Sequence, residues 1–373
     1  RERNTPKKAF DPNFVEERPE VEEFIPKKVQ PPGALAVPRF PYDPSDDNVI
    51  RNNFLPQTIG TSIAGPGRTA DGINAIPPDS VGDVGPTQVL MHVNGRVKVY
   101  DKFTGAVGGL DVADTTFWTS VSNGVGISDP RVEYDRLSGR WFLVMINVAA
   151  TSNRVMIAVS SGPTITNSSS FTFFQITTST QFLDYPSLGV DANALYIGGN
   201  IFTTSTGSFA STRGYVINKA NLIGGTLNAT VFDNIGTTSA GPYAPQGVSN
   251  DDPAATEGYF IGVDTASFSL LQIRRVSNPG GTPTISGNIS LSVPATVYPL
   301  GPQTGRAVPY QGRTGTKTLD DLDDRLFQAQ ILRDNISGVA RLWTAHNIQV
   351  TSAGVANNTG GRDGSRWYEI GNL

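Results

Sequence analysis

Four stretches decide the fold: Gln88-Val89-Leu90-Met91-His92-Val93-Asn94, Trp141-Phe142-Leu143-Val144-Met145-Ile146-Asn147, Leu195-Tyr196-Ile197-Gly198-Gly199-Asn200 and Tyr259-Phe260-Ile261-Gly262-Val263-Asp264. Three close on Asn and the fourth on Asp. They recur about every 50 to 60 residues, each as the second strand of one module. A short strand announced by Pro or Asp precedes each: Asp79-Ser80-Val81-Gly82-Asp83, Asp129-Pro130-Arg131-Val132-Glu133-Tyr134, Tyr185-Pro186-Ser187-Leu188-Gly189-Val190 and Ala244-Pro245-Gln246-Gly247-Val248. Pro withholds an amide donor, so each is expected at the first residue of its strand or on a sheet edge. Third strands such as Arg154-Val155-Met156-Ile157-Ala158-Val159 and outer strands such as Phe171-Thr172-Phe173-Phe174-Gln175-Ile176 complete the unit.

A looser fifth copy spans Arg325 to Ile331, Ala340 to His346 and Ser365 to Ile370. Such a unit cannot bury both faces of its sheet alone, so copies must stack, and four-stranded units stacked around an axis make a β-propeller. The predicted fold is all-β: a β-propeller of four-stranded antiparallel blades, at least five in this chain, over residues 56–373. Composition agrees, with 40 Gly and 26 Pro in 373 residues, only 17% charged residues and no helical segment of convincing length.

Residues 1–55 differ in kind. Charge blocks such as Glu20-Val21-Glu22-Glu23 alternate with Lys27-Lys28, and prolines from Pro6 to Pro44 forbid a helix. An extended arm is predicted, with apolar residues Phe14, Phe24, Ile25 and Phe40 able to lie in grooves of another copy of the chain.

Several chemistries are excluded or weak. There is no cysteine, hence no disulfide, thiolate nucleophile or Cys-based zinc site. A net charge of −4 without a recurring basic patch argues against nucleic acid. No apolar run approaches the roughly 18 residues of a membrane span. Gly312-Arg313-Thr314-Gly315-Thr316-Lys317-Thr318 lacks the spacing of a P-loop, and no Gly-x-Ser-x-Gly elbow is present. The two histidines, His92 and His346, each fall inside a strand pattern and read as core.

Candidate ligand-binding residues cluster where strands begin. Asp129 and Asp184 are carboxylates at blade openings, Arg131 is a cation in the same motif, and Tyr185 and Tyr243 are loop aromatics on which a sugar face could stack. Asp320, Asp321 and Asp323 belong to the densest acidic cluster, with Asp324, and make calcium the one cofactor candidate, although the EF-hand spacing is absent.

The motifs Pro77-Pro78-Asp79-Ser80-Val81-Gly82-Asp83-Val84-Gly85-Pro86, Ser128-Asp129-Pro130-Arg131-Val132-Glu133-Tyr134-Asp135-Arg136-Leu137-Ser138-Gly139-Arg140-Trp141-Phe142, Asp184-Tyr185-Pro186-Ser187-Leu188-Gly189-Val190, Leu319-Asp320-Asp321-Leu322-Asp323-Asp324-Arg325-Leu326 and Arg366-Trp367-Tyr368-Glu369-Ile370, taken in order, resemble an uncharacterised family of secreted bacterial β-propeller proteins. The family is loosely likened to sialidases. The resemblance covers about residues 75 to 373 and implies a secreted or surface-attached propeller, its targeting segment missing from this chain. A sialidase site needs an arginine cluster, an activated Tyr and an acid. Arg131, Arg140, Arg213, Arg306, Tyr134 and Asp129 are the available types, but the Ser-x-Asp-x-Gly-x-Thr-Trp box is absent.

The expectation is therefore a non-catalytic extracellular or cell-surface propeller for filament or matrix assembly, adhesion or glycan binding, with its arm on a neighbouring subunit. The alternative is a sialidase-like glycan hydrolase or lyase with its site at the propeller axis.

Overall fold

The computed structural model describes residues 16–17, 26–31, 59–149, 152–178, 181–204, 206–300, 308–309, 318–319, 321–334 and 337–373. Two short parallel strands, β1 (Glu16–Glu17) and β2 (Ala75–Ile76), stand outside the repeat. The first blade follows as β3 (Val81–Val84), β4 (Gln88–Val93), β5 (Arg96–Asp101) and β6 (Val107–Val112), antiparallel and joined in chain order. The second repeats it with β7 (Ile127–Asp135), β8 (Arg140–Asn147), β9 (Arg154–Ser160) and β10 (Phe171–Thr177). In the third, the inner position is split between β11 (Gln181–Asp184) and β12 (Gly189–Val190), both paired with β13 (Ala194–Thr203), and β14 (Phe209–Asn218) and β15 (Ala229–Gly236) lie outside.

The fourth blade has β16 (Pro242–Asn250), β17 (Glu257–Asp264) and β18 (Leu270–Ser277), edged by β19 (Thr284–Ile285) and β20 (Ile289–Ser292). After the pair β21 (Val308–Pro309) and β22 (Thr318–Leu319), three described strands form the fifth: β23 (Ala329–Arg333), β24 (Ala340–Val350) and β25 (Arg362–Ile370). The inner strand β23 runs parallel beside β16, pairing Val248 with Ala329. This is the predicted β-propeller, five blades in sequence order. Among the described residues no strand pairing joins the fifth blade to the first.

The second strands are continuous apolar runs because both of their faces are covered, as in any sheet sandwiched between layers. On one face of β8, Trp141, Leu143 and Met145 pack with Leu90, Val97 and Val99 of the first blade; on the other, Phe142, Val144 and Ile146 join a core that continues through the fifth blade. Blades approach so closely that a β-carbon at Gly85 would lie 2.6 Å from the Trp141 ring. Hairpin turns keep the register: Asp101 Oδ1 accepts from the amides of Phe103 and Thr104 at 3.0 and 2.8 Å, and Gly105 supplies the positive φ that ends the turn.

Pro130 lies inside β7, an edge strand as expected, whereas Pro245 lies inside β16, which is paired on both sides; at both the register skips, between Ser128 and Arg131 and between Tyr243 and Gln246. A bulge frees the proline from a ladder bond, which is why the strand can continue through it.

Phe14, Phe24, Ile25 and Phe40 lie outside the described residues, as does Asp320. Two parts of the arm are described: Glu16–Glu17 pair with Ala75–Ile76, and residues 26–31 lie on the chain's own propeller, where Val29 bridges Ser267 in parallel, donates to the Ala266 carbonyl and accepts from the Phe268 amide.

Candidate functional site

Every blade opens its inner strand through a non-glycine residue of positive φ: Asp79 (42°), Asp129 (61°), Tyr185 (53°), Ala244 (44°) and Leu322 (53°). Each such residue costs on the order of 1 kcal/mol or more, and strain of this kind gathers at functional sites. The recurring Asn or Asp that closes the second strands explains how several of these turns are held. Asn94 Nδ2 donates to Asp79 Oδ2 at 2.8 Å and to the Pro77 carbonyl at 3.0 Å. Asn200 Oδ1 accepts from the Ala244 amide of the next blade at 3.0 Å, and Asp264 from the Gly241 amide at 2.9 Å. Asn147 is different, bonding the carbonyls of Ser122 and Ser152 and the Arg154 amide.

The inner strands enclose a channel of about 1520 Å³ lined by residues of all five blades, among them Asp79, Asp129, Arg131, Glu133, Asp184, Tyr185, Gln246 and Arg325. At the strand openings Asp79 meets Asp129 within hydrogen-bond reach. Burial, and next the Asp129 carboxylate, raise Asp79 to about 6 against the opposing influence of Arg131 and Asn94. Asp129 is fixed from the other side, accepting from Ser128 Oγ at 2.9 Å and from the Tyr185 amide at 3.1 Å. A carboxylate already at hand makes ionising Asp79 costly, so Asp79 keeps its proton into the range where enzymes use one.

Beside the pair, Tyr185 is held between two guanidinium groups, Arg131 at 4.8 Å and Arg325 at 4.4 Å from its ring centroid. Arg325 grips Asp323 with both ends of its fork, Nε to Oδ1 at 2.7 Å and Nη2 to Oδ2 at 2.6 Å, and Tyr243 Oη donates to the same Oδ2 at 3.0 Å. Next to it Asp324 takes Lys28 Nζ at 2.8 Å, with both side chains almost wholly buried. His346 bonds the Asp324 carbonyl through Nδ1 and Tyr368 Oη through Nε2. Burial pushes His346 down to about 4, so it is neutral at physiological pH.

Further along the channel Glu133 is desolvated, and Asp83, Asp135 and Asp251 add to the effect. Together they raise it to about 8 although Ser249 donates to it.

The structure thus brings Asp129, Arg131, Asp184 and Tyr185 to one channel, with Tyr185 covered on its ring by the guanidiniums. Tyr243 is only 1% exposed, in β16, and offers no open ring face to a ligand. The arginine set of a sialidase site does not assemble from the sequence candidates: Arg140 bonds the Ser160 carbonyl in the second blade and Arg213 pairs with Asp233 in the third. Among the described residues no group of three acidic or histidine side chains is arranged for a metal ion.

Sequence reading missed Asp79, Glu133, Arg325 and Lys28 as site residues. Only Asp79 left a signal, because it aligns with Asp129 in the repeat.

No protein-family model and no curated protein matches the chain. Among solved structures it is similar to a neuraminidase-like protein of A/flat-faced bat/Peru, at 9% identity and TM-score 0.42 over 79% of this chain and 73% of that one. It is also similar to an α-L-arabinanase mutant of Cellvibrio cellulosa, at 9% and 0.35 over 78% and 90%, and to an endo-arabinanase from Bacillus licheniformis, at 11% and 0.33 over 78% and 92%. The likeness is one of β-propeller architecture.

The non-catalytic assembly role expected from the sequence is corrected here. In this molecule the described residues 26–31 of the arm lie on its own blades, and Asp79, its carboxyl raised to about 6 beside Asp129, stands in the channel.

Proposed function

We propose that the protein is a glycan-active enzyme, a hydrolase or lyase, working in the axial channel with Asp79 and Asp129 as its acid–base unit. The observation that carries this reading is the carboxyl pair, with Asp79 raised to about 6 beside Arg131. A volume of about 1520 Å³ exceeds the roughly 300–1,000 Å³ of an ordinary small-ligand pocket and has room for several sugar rings. The amide of Gln246 and the hydroxyl of Ser249 add neutral hydrogen-bonding groups to the wall.

The two carboxyls are closer than the roughly 5–9.5 Å that separates opposed glycosidase carboxylates, so they act as one group on one side of the bond. In this scheme Asp79 gives its proton to the glycosidic oxygen as the C–O bond breaks, a carboxylate takes a proton from the water that adds to the sugar or, in elimination, from the sugar carbon, and Arg131 offsets the negative charge left on the pair. Asp184 supplies the second carboxylate, one residue from the Tyr185 amide that bonds Asp129. We place the activity outside the cell or at its surface, a reading that rests on the Gly- and Pro-rich composition and the low share of charged residues.

The test is an assay of the purified chain against a panel of neutral and uronate-containing polysaccharides. New reducing ends report hydrolysis, and ultraviolet absorbance of unsaturated uronates reports elimination. Asp79→Asn and Asp129→Asn should each lower kcat/KM by about 10²–10⁴. Absence of cleavage across the panel, or parental activity in both variants, sinks the proposal.

A further inference from the structure

Lys28 enters the propeller as a ligand enters a receptor. Its ammonium lies 2.8 and 2.9 Å from the two oxygens of Asp324. Three aromatic rings surround the same nitrogen, with centroids at 5.8 Å for Tyr243, 5.9 Å for Phe268 and 5.7 Å for Tyr298. Ring faces around a cation attract it through their quadrupoles, and the attraction grows when water is excluded. The Lys28 side chain has no exposure at all.

The walls come from separate parts of the fourth and fifth blades, and propeller groups fix each of them. Phe268 and Tyr298 meet edge to face at 4.9 Å, Tyr243 is tied to Asp323, and the Asp324 carbonyl is bonded by His346. The backbone around Lys28 is read as well. Val29 exchanges two main-chain bonds with Ala266 and Phe268, in the manner of an added strand, and Tyr298 Oη donates to the Pro26 carbonyl. Gln30 Oε1 accepts from Ser269 Oγ at 2.6 Å, and its Nε2 donates to the Thr296 carbonyl at 3.4 Å. Lys27, adjacent in sequence, is exposed.

We infer that these residues form a lysine-reading peptide site, an aromatic cage closed by Asp324 that takes the primary ammonium of an extended segment, and that its occupant is the chain's own residues 26–31. The arm is then a strap across the fourth and fifth blades. Without a cation in the cage, Asp324 would remain buried with its charge uncompensated, so the strap completes this end of the molecule. The inference does not depend on the proposed glycan chemistry, because the cage is separate from the Asp79–Asp129 pair.

The test uses the full chain with a protease site placed between residues 40 and 50, cleaved after purification. The released N-terminal fragment should stay with the propeller through size-exclusion chromatography. A labelled peptide of residues 20–34 should exchange with it, and the same peptide carrying Lys28→Ala should bind at least about 100-fold more weakly.

In the uncut chain, Lys28→Met should lower the melting temperature, and adding Asp324→Asn should restore most of the loss by removing the orphaned charge. Should Lys28→Met alone prevent folding, the peptide exchange on the parent still decides. Departure of the fragment under native conditions, or equal binding of the two peptides, overturns the inference.

Discussion

Two groups of acids at the blade openings are supplied with cations differently. Where the fifth blade opens, Asp323 and Asp324 are buried, and each has a cation of its own, Arg325 and Lys28. Where the first two blades open, Asp79 and Asp129 face each other, and Arg131 bonds the Pro130 carbonyl and stacks on Tyr185 instead of forming an ion pair with either carboxylate. Burial works to raise both acids of the fifth blade: the Arg325 fork holds Asp323 below the usual carboxylate range, whereas burial outweighs Lys28 and leaves Asp324 above it, and Asp79, with no cation closed on it, rises to about 6. The number of acids in a stretch of chain therefore says little about chemistry. Whether the fold delivers a cation to each acid says much more.

The largest expected effect tests the satisfied group. Arg325→Leu removes the fork from Asp323 and leaves a carboxylate of no exposure without its partner, which should cost about 3–5 kcal/mol in denaturant melts. A loss under about 1 kcal/mol, no more than an exposed pair gives, would mean that the two groups do not differ as described.

The unsatisfied group should respond with the opposite sign. Asp79 has a folded pKa of about 6 above its ordinary 3.8, so the folded state holds a proton that the unfolded chain has lost. Its contribution to stability is present below about pH 4 and disappears as pH rises through about 6. Asp79→Asn should therefore melt like the parent at pH 4 and be more stable at pH 7.5, by about 1–3 kcal/mol. Glu133 follows the same rule over a higher window, from its ordinary 4.5 to about 8. An Asp79→Asn chain with the parent's pH dependence would remove the retained proton from the account.

What could be read from sequence was whatever repeats locally. The runs closing at Asn94, Asn147, Asn200 and Asp264 marked four of the five blades and their strand order, because a sheet covered on both faces writes a continuous apolar run into the chain. The candidate site was only half legible. Asp129, Arg131, Asp184 and Tyr185 were visible as blade-opening residues, but the contact of Asp79 with Asp129 exists only after two blades stack. The partner of Asp324 is 296 residues away, in a segment whose charge blocks read as solvated. Long-range charge pairing leaves no periodic mark, so the acidic run near Asp323 resembled a metal loop when it is in part the anionic half of two ion pairs.

Calcium gives the smallest expected effect and the sharpest check on that last point. A carboxylate offers about four lone-pair positions. For Asp323 they are taken: Oδ1 accepts the Arg325 amide at 2.8 Å and Nε at 2.7 Å, while Oδ2 accepts Nη2 at 2.6 Å and Tyr243 Oη at 3.0 Å. A calcium ion would have to displace Arg325, whose charge is already in place and needs no dehydration from bulk water. Adding millimolar calcium to chelator-treated protein should thus move the melting temperature by less than about 1 °C, the mark of a ligand with no preference for the folded state. A larger rise that vanishes in the Asp321→Asn, Asp323→Asn double variant would restore a metal to this loop, and the contrast between the two groups of acids would then lie in which cation each acid holds.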